Sequence, residues 1–153
     1  KKVNQACFQP AFAIEAVADI AYYGGQRPVQ SGEISERQGI PRRYLEQVLQ
    51  HLVKNDVLTG QRGPRGGYRL ARERRLITVG ELVRVVRQID AVPDPLEDNG
   101  GSAIGNQVIR PIWRDMQGRM MQELDAITIE EVCERARKAG VPGEPLPRID
   151  FSI

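Results

Sequence analysis

Histidine, cysteine and aromatic residues are scarce here: of 153 residues one is histidine, two are cysteine and one is tryptophan, and aromatics make up 5%. The single histidine, His51, has no partner for a metal site or for a nucleophile and base, so a solvated or phosphate-contacting role suits it better. Cys7 and Cys133 lie near opposite ends, outside any Cys-x-x-Cys or disulfide-framework spacing. No run of about 18 apolar residues is present, as a spanning helix would need. Residues 1–30 lack the apolar core and cleavage site of a signal peptide, so a cytoplasmic protein is expected. A structural disulfide does not suit that compartment. Gly63 to Gly67 could suggest a phosphate-cradling loop, but the Gly-Lys-Ser/Thr ending and a following helix are missing. No paired carboxylates at a recognisable spacing and no cofactor fingerprint occur either, so the chain is not read as an enzyme.

What is present is concentrated between Gly39 and Leu70. From Arg42 to Lys54 the apolar residues Leu45, Val48, Leu49 and Leu52 follow the i, i+3, i+4, i+7 spacing of a half-buried helix. Arg43, Glu46, Gln47, Gln50 and Lys54 then share the opposite face. Pro41 suits a first helical turn, where its missing N–H has no partner to lose. Upstream, Ser31 to Gln38 predicts a short helix with Ser31 as N-cap and Gly39 as left-handed C-cap. Two helices joined by Gly39-Ile40 form a helix-turn-helix. Downstream, residues 57–61 and 68–70 are short strand candidates around the turn sequence Arg62-Gly63-Pro64-Arg65-Gly66-Gly67. Arg62 and Arg65 at that tip are free to reach phosphates or a minor groove. A solvated charged helix followed by a flexible glycine loop would account for the same composition.

Charge separates along the chain. Residues 31–75 carry ten Lys or Arg against five acids, a net of +5, whereas residues 76–153 carry nine against thirteen, a net of −4. The overall +2 conceals this division. A basic region confined to one segment is the electrostatic footprint of a nucleic-acid binder.

The flanking segments complete the outline. Phe12 to Tyr23 is alanine-rich and apolar at helical spacing, which predicts a buried first helix closed by Gly24-Gly25. Thr78-Val79-Gly80-Glu81 and Thr128-Ile129-Glu130-Glu131 match the capping box, so helices should begin near 79 and 129. Asp90 to Asn106 is rich in proline, glycine and acids and predicts a loop, in which Asp94 to Asp98 is a partner surface, a ligand lid or simply solvated. From Gln107 to Asp125, Val108, Ile109, Ile112, Trp113, Met116, Met120 and Leu124 recur at helical spacing. Such a helix would be about 28 Å long. Its stripe is either an ordinary core face or the seam with a second subunit.

The expected fold is therefore mainly α with a small β-wing: a winged helix-turn-helix plus a long dimerisation helix. The segments are 1–89 for the DNA-binding region, 90–106 for an effector or linker loop, 107–140 for dimerisation helices and 141–153 for an extended tail.

Four motifs carry a specific resemblance. Residues 34–40 (Ile-Ser-Glu-Arg-Gln-Gly-Ile), Tyr44-Leu45-Glu46-Gln47, Arg62-Gly63-Pro64-x-Gly66-Gly67-Tyr68-x-Leu70 and Ile77-Thr78-Val79-Gly80-Glu81 occur in order and at the spacing of the Rrf2 family of bacterial winged-helix regulators. The chain resembles that family over roughly residues 12–138. The resemblance implies a homodimeric transcription regulator acting on double-stranded DNA, with a repressor on a palindromic operator as the expectation. It places Arg43, Glu46 and Gln47 at major-groove positions and Arg62 at the minor-groove position of the wing. Gln50 lies one turn further along the same face. Arg binds guanine bidentately, Gln binds adenine and Glu accepts from cytosine, so the residue types fit base reading. Arg42, Tyr44, Lys54, Arg65 and Tyr68 are expected to contact phosphates. The dimer helix would use Ile109, Ile112, Trp113, Met116, Met120 and Leu124.

Two departures from the family are visible. Members commonly open with a basic segment that touches the DNA backbone, where this chain has Gln9-Pro10-Ala11-Phe12, with Lys1 and Lys2 as the nearest substitutes. Cluster-binding members carry three cysteines before the dimer helix, commonly with a histidine at its start. Here residues 91–110 hold neither residue type, and the last two ligand positions read Gln107 and Arg110. Iron–sulfur clusters need thiolate or imidazole ligands, so no cofactor and no metal site is expected. Cluster-free members respond to metabolite state, one of them through a partner enzyme. The analogy points to sulfur, cysteine or iron–sulfur metabolism, with a metabolite or partner enzyme as effector. A redox or metal sensor using Cys7 and Cys133, or a protein-interaction module with a degenerate winged helix, are the alternatives. Protein purified without oxygen is expected to be colourless and to hold no iron; a visible absorption band with stoichiometric iron would reverse the cofactor reading.

Overall fold

The computed structural model describes residues 5–90 and 101–143. Helix α1 runs over Gln5–Tyr23, α2 over Ser31–Gln38 and α3 over Arg42–Lys54. A hairpin of β1 (Leu58–Gln61) and β2 (Gly67–Leu70) follows, then a 3-10 turn at Arg74–Leu76 and α4 over Val79–Asp90. A π-helical turn at Gly105–Ile109 leads into α5 (Arg110–Ala126), and α6 spans Ile129–Lys138. The acidic stretch Asp94 to Asp98, Lys1, Lys2 and the tail from 144 onward lie outside the described residues.

One core unites α1, α3 and α4. Ala13, Ala16, Val17 and Ile20 of α1 meet Leu45, Val48, Leu49 and Leu52 of α3 and Leu82, Val85 and Val86 of α4, all buried. Ile129 and Cys133 of α6 join the same cluster, so α6, within the segment expected to dimerise, is held by its own chain. Alanines at 13 and 16 let the helices approach closely, and leucines fill the opposite wall, as dense packing requires.

Several boundaries differ from expectation. Helix α1 starts at Gln5 rather than Phe12 and carries Pro10 within it. Residue 30, not Ser31, caps α2: the Glu33 N–H donates to the Gln30 carbonyl at 3.1 Å, and the Glu33 carboxylate accepts from the Gln30 N–H at 2.9 Å. The reciprocal box needs a three-residue spacing, and only Gln30 has Glu33 at that distance. The Arg27 guanidinium, with the Gln30 amide, holds the Glu33 carboxyl down to about 2 against the effect of burial, so the cap stays charged. Gly39 ends α2 at φ 65°, as expected of a left-handed cap.

The long helix also begins early. Residues 103–126 are helical, so the end of the expected loop belongs to the helix, where the Ser102 hydroxyl accepts from the Gly105 N–H at 3.1 Å. Pro111 explains the π turn. In a regular α-helix its ring would crowd the carbonyl four residues back, and widening the preceding turn relieves that contact. Thr78 and Thr128 cap α4 and α6 as expected, each accepting from the amide three residues on at 3.2 Å.

A buried carboxylate sets the angle between α1 and α2. Asp19, with its side chain 0% exposed, accepts from Arg37 Nε and Nη2 at 2.9 and 2.8 Å and from Gln38 Nε2 at 2.7 Å. The Arg37 guanidinium also lies 4.4 Å over the Tyr23 ring. Asp19→Ala leaves that guanidinium without its partner beside the core. We expect a loss of about 3 kcal/mol and a fall in Tm of roughly 6 to 12 °C for a chain of this size. Thermal unfolding followed by circular dichroism measures it, and an unchanged Tm would show that the anchor is dispensable.

Candidate nucleic-acid interface

Helix α3 is stabilised by burying one face, which leaves the other open. Leu45, Val48, Leu49 and Leu52 are each 0% exposed, whereas Arg42, Arg43, Glu46, Gln47, Gln50 and Lys54 are exposed on the opposite side. At about 100° per residue the exposed set spans roughly 140°, wide enough to lie in a major groove and present several side chains at once. Arg42, Glu46 and Gln50 form the edge nearer the hairpin, with Arg43, Gln47 and Lys54 beyond them.

The hairpin beside α3 is fixed by backbone pairing. Leu58 faces Leu70, Thr59 faces Arg69, Gly60 faces Tyr68 and Gln61 faces Gly67 in antiparallel register. Val29, just before α2, adds a third line of pairing: its N–H donates to Tyr68 O at 3.0 Å and its carbonyl accepts from Tyr68 N at 2.8 Å. Gly67 is required at this crossing, because its φ is 151° and a Cβ there would stand 2.5 Å from the Val29 carbonyl oxygen. Gln30 Nε2 also donates to the Pro64 carbonyl at the tip, at 3.4 Å. The wing is therefore attached to the start of α2, and between wing and α3 lies a polar cleft of about 810 Å³ that Gln30, Arg42, Gln50, Gln61, Arg62 and Tyr68 help to line.

Ion pairing inside the chain decides which cations remain for a ligand. Of the ten basic residues in 31–75, Arg37 pairs with Asp19, Arg42 with Glu46, Arg72 with Glu81, Arg74 with Glu130 and Arg75 with Glu73. Arg69 donates to the Gln26 carbonyl at 2.9 Å. Arg43, Lys54, Arg62 and Arg65 are exposed and make no ion pair among the described residues. All four sit on the open face of α3 or at the wing tip.

The structure places Arg43, Glu46, Gln47 and Gln50 together on α3, with Arg62 and Arg65 across the cleft at the exposed tip. Tyr68 is half-buried and lines the cleft. Tyr44 is different. Its ring packs edge-on against Phe12 at 5.8 Å and its hydroxyl is buried, so it braces α1 against α3 instead of offering that hydroxyl to a phosphate. Arg42, expected on a phosphate, is engaged with Glu46 at 3.3 Å. Asp19, Val29 and Gln30 escaped the sequence reading. The one usable signal was an aspartate within the buried arc of α1, which demands a partner.

Neither the cysteine reading nor the cluster reading gains donors here. Cys133 is 1% exposed, and burial pushes its thiol pKa up, away from the reactive thiolate. Cys7 falls within α1. No group of three or more His, Cys, Asp or Glu among the described residues could hold a metal ion. At the last of the expected cluster positions the cationic side chain of Arg110 is 8% exposed, within a few ångströms of Gly101. The residues present do not fit an iron–sulfur cluster.

A three-helix head with its second and third helices joined by a short turn, and a two-stranded wing beside the open face of the third, defines a winged-helix DNA-binding regulator. The Rrf2 family, described as iron-dependent transcriptional regulators, matches residues 9–135, and the chain belongs to it. It is 35% identical over 134 residues to the HTH-type transcriptional regulator IscR of Escherichia coli (strain K12 / DH10B), covering 86% of this chain and 82% of that protein. The structure of T. potens IscR superimposes with a TM-score of 0.70 at 30% identity, covering 93% of each chain. That of CymR, the global cysteine regulator of B. subtilis, does so with a TM-score of 0.66 at 21% identity, over 88% of this chain and 98% of that one, and shares the fold. No helix among the described residues is long and apolar enough to cross a membrane.

Glu46→Ala and Arg62→Ala should change base preference, while Lys54→Ala should weaken binding to all duplexes alike and lower the salt slope by about 1. Binding titrations on selected and random duplexes at several salt concentrations distinguish these outcomes. Equal loss on both duplexes from Glu46→Ala would remove it from the base-reading set.

Proposed function

We propose that this regulator acts as a homodimer, binding a palindromic operator as a repressor without an iron–sulfur cluster. The observation that carries the dimer is the outer face of the long helix. Ile109, Ile112, Trp113, Met116 and Met120 are 44 to 56% exposed, and all lie within roughly 100° of arc. Leu124, at the end of the stripe, is half-buried. Exposed apolar surface of this extent on a polar chain marks an interaction site, and a self-complementary helix face closes most simply about a two-fold axis.

Energetics agree with that reading. Each of these half-exposed side chains gains roughly 1 kcal/mol on complete burial. Across two copies the total is on the order of 10 kcal/mol, comparable with the cost of association. The dimer therefore needs nearly the whole stripe. Two heads related by a two-fold axis read two inverted half-sites, which is the support for a palindrome. Arg110 and Gln107 in place of ligands support operation without a cluster, with a metabolite or partner enzyme as effector. For the regulated genes we assign sulfur, cysteine or iron–sulfur metabolism, by analogy with the IscR relatives and the CymR neighbour.

Light scattering on the wild-type chain at micromolar concentration should give the mass of a dimer. Trp113→Glu combined with Met116→Glu should give a folded monomer whose affinity for a two-half-site duplex falls more than about 100-fold, since the second head no longer binds as part of one molecule. A wild-type monomer under these conditions would overturn the proposal.

A further inference from the structure

Arg42 and Glu46 stand one turn apart on the wing-facing edge of α3, with Arg42 Nε 3.3 Å from Glu46 Oε1. Helix electrostatics do not explain the pair. Arg42 is the first residue of α3, at the positive end of the helix dipole, where a cation is unfavourable. Arginine preceding glutamate by four residues is also the weaker order for such a pair. With side chains 69% and 49% exposed, the free protein gains little from it. A cation at this position has to be explained by what α3 binds.

Glu46 faces an electrostatic difficulty once α3 enters a groove. The groove is walled by phosphates, which repel a carboxylate, and closing it strips away the water that screens that repulsion. Arg42 is the cation already on this carboxylate. Arg43 and Lys54 lie further round the face, and Arg62 and Arg65 lie on the wing.

We propose that Arg42 is a positioning residue for base reading: its guanidinium stays on Glu46 in the DNA complex, neutralising the carboxylate and steadying one oxygen while the other accepts from a cytosine amino group. Arg42 thereby helps set sequence preference without touching a base. This deepens the reading of α3 as the base-reading helix and rests on it.

A double-mutant cycle tests the coupling. The probe is a duplex selected by the wild-type protein from a random pool, together with its single-base variants. Arg42→Ala should weaken binding to the selected duplex about tenfold and flatten the preference at the cytosine whose recognition Glu46→Ala abolishes. In a Glu46→Ala background the same change should cost less than about twofold, and Arg42→Lys should restore part of the preference. An equal loss in both backgrounds, with the salt slope reduced by about 1, makes Arg42 a plain phosphate contact and overturns the proposal. Wild-type protein that selects no sequence at all overturns the base-reading assignment of α3 as well, which separates the two failures.

Discussion

Asp19 takes three hydrogen bonds with its side chain fully removed from solvent, and the placement of the reading head depends on them. A buried carboxylate without partners would cost several kcal/mol, so α1 and the last turn of α2 must meet in the one arrangement that brings Arg37 and Gln38 to it. Because Arg37 and Gln38 immediately precede Gly39, the same contact determines where the turn begins and the direction in which α3 leaves. Tyr23 strengthens the anchor from the side, its ring beneath Arg37 and its hydroxyl donating to the Pro142 carbonyl at 3.1 Å. Tyr22 likewise donates to the Val141 carbonyl at 2.7 Å, so the chain leaving α6 is tied to the helix that holds α2.

The opposite end of α2 is fixed by different means. Val29 pairs with Tyr68 and Gln30 reaches the wing tip, so the start of α2 and the hairpin are one piece. With one end held by Asp19 and the other by the wing, α2 acts as a strut that sets the distance between α3 and Arg62. The breadth of the cleft is thus a property of backbone pairing and one buried ion pair, not of the flexible arginines that line it. The same economy appears in the charges. Five of the ten basic residues in 31–75 pair with acids of the chain, and the exposed cations left over lie on the open face of α3 and at the wing tip.

Much of this was readable from residue spacing, because spacing reports faces. Leu45, Val48, Leu49 and Leu52 specify which side of α3 is buried, and Thr78 and Thr128 mark helix starts because a hydroxyl three residues before an acid is a local signal. What the sequence concealed depends on partners distant along the chain. Tyr44 lies at the margin between the two faces of α3, and it is Phe12, distant along the chain, that draws its ring inward. Gln30 is not a favoured cap by residue type, but its distance from Glu33 makes it one. The π turn before Pro111 follows from a steric conflict that composition does not show, and Gly105 and Asn106 read as loop residues although the Ser102 cap brings them into the helix.

Gly80 has a role beyond capping. A Cβ at this position would collide with the Asp125 side chain and stand 3.0 Å from its backbone nitrogen, so the end of α5 reaches α4 only because residue 80 is glycine. Arg84 then grips Asp125 through two bonds of 2.7 and 2.6 Å, and Val79 N donates to Ile127 O at 2.9 Å. The long helix is therefore clamped at its C-terminal end to a helix that packs on both α1 and α3, while its N-terminal half presents the apolar stripe. Leu82, Val85 and Val86 of α4 share one core with the buried face of α3, so α4 ties the end of the long helix to the helix that carries the exposed polar face.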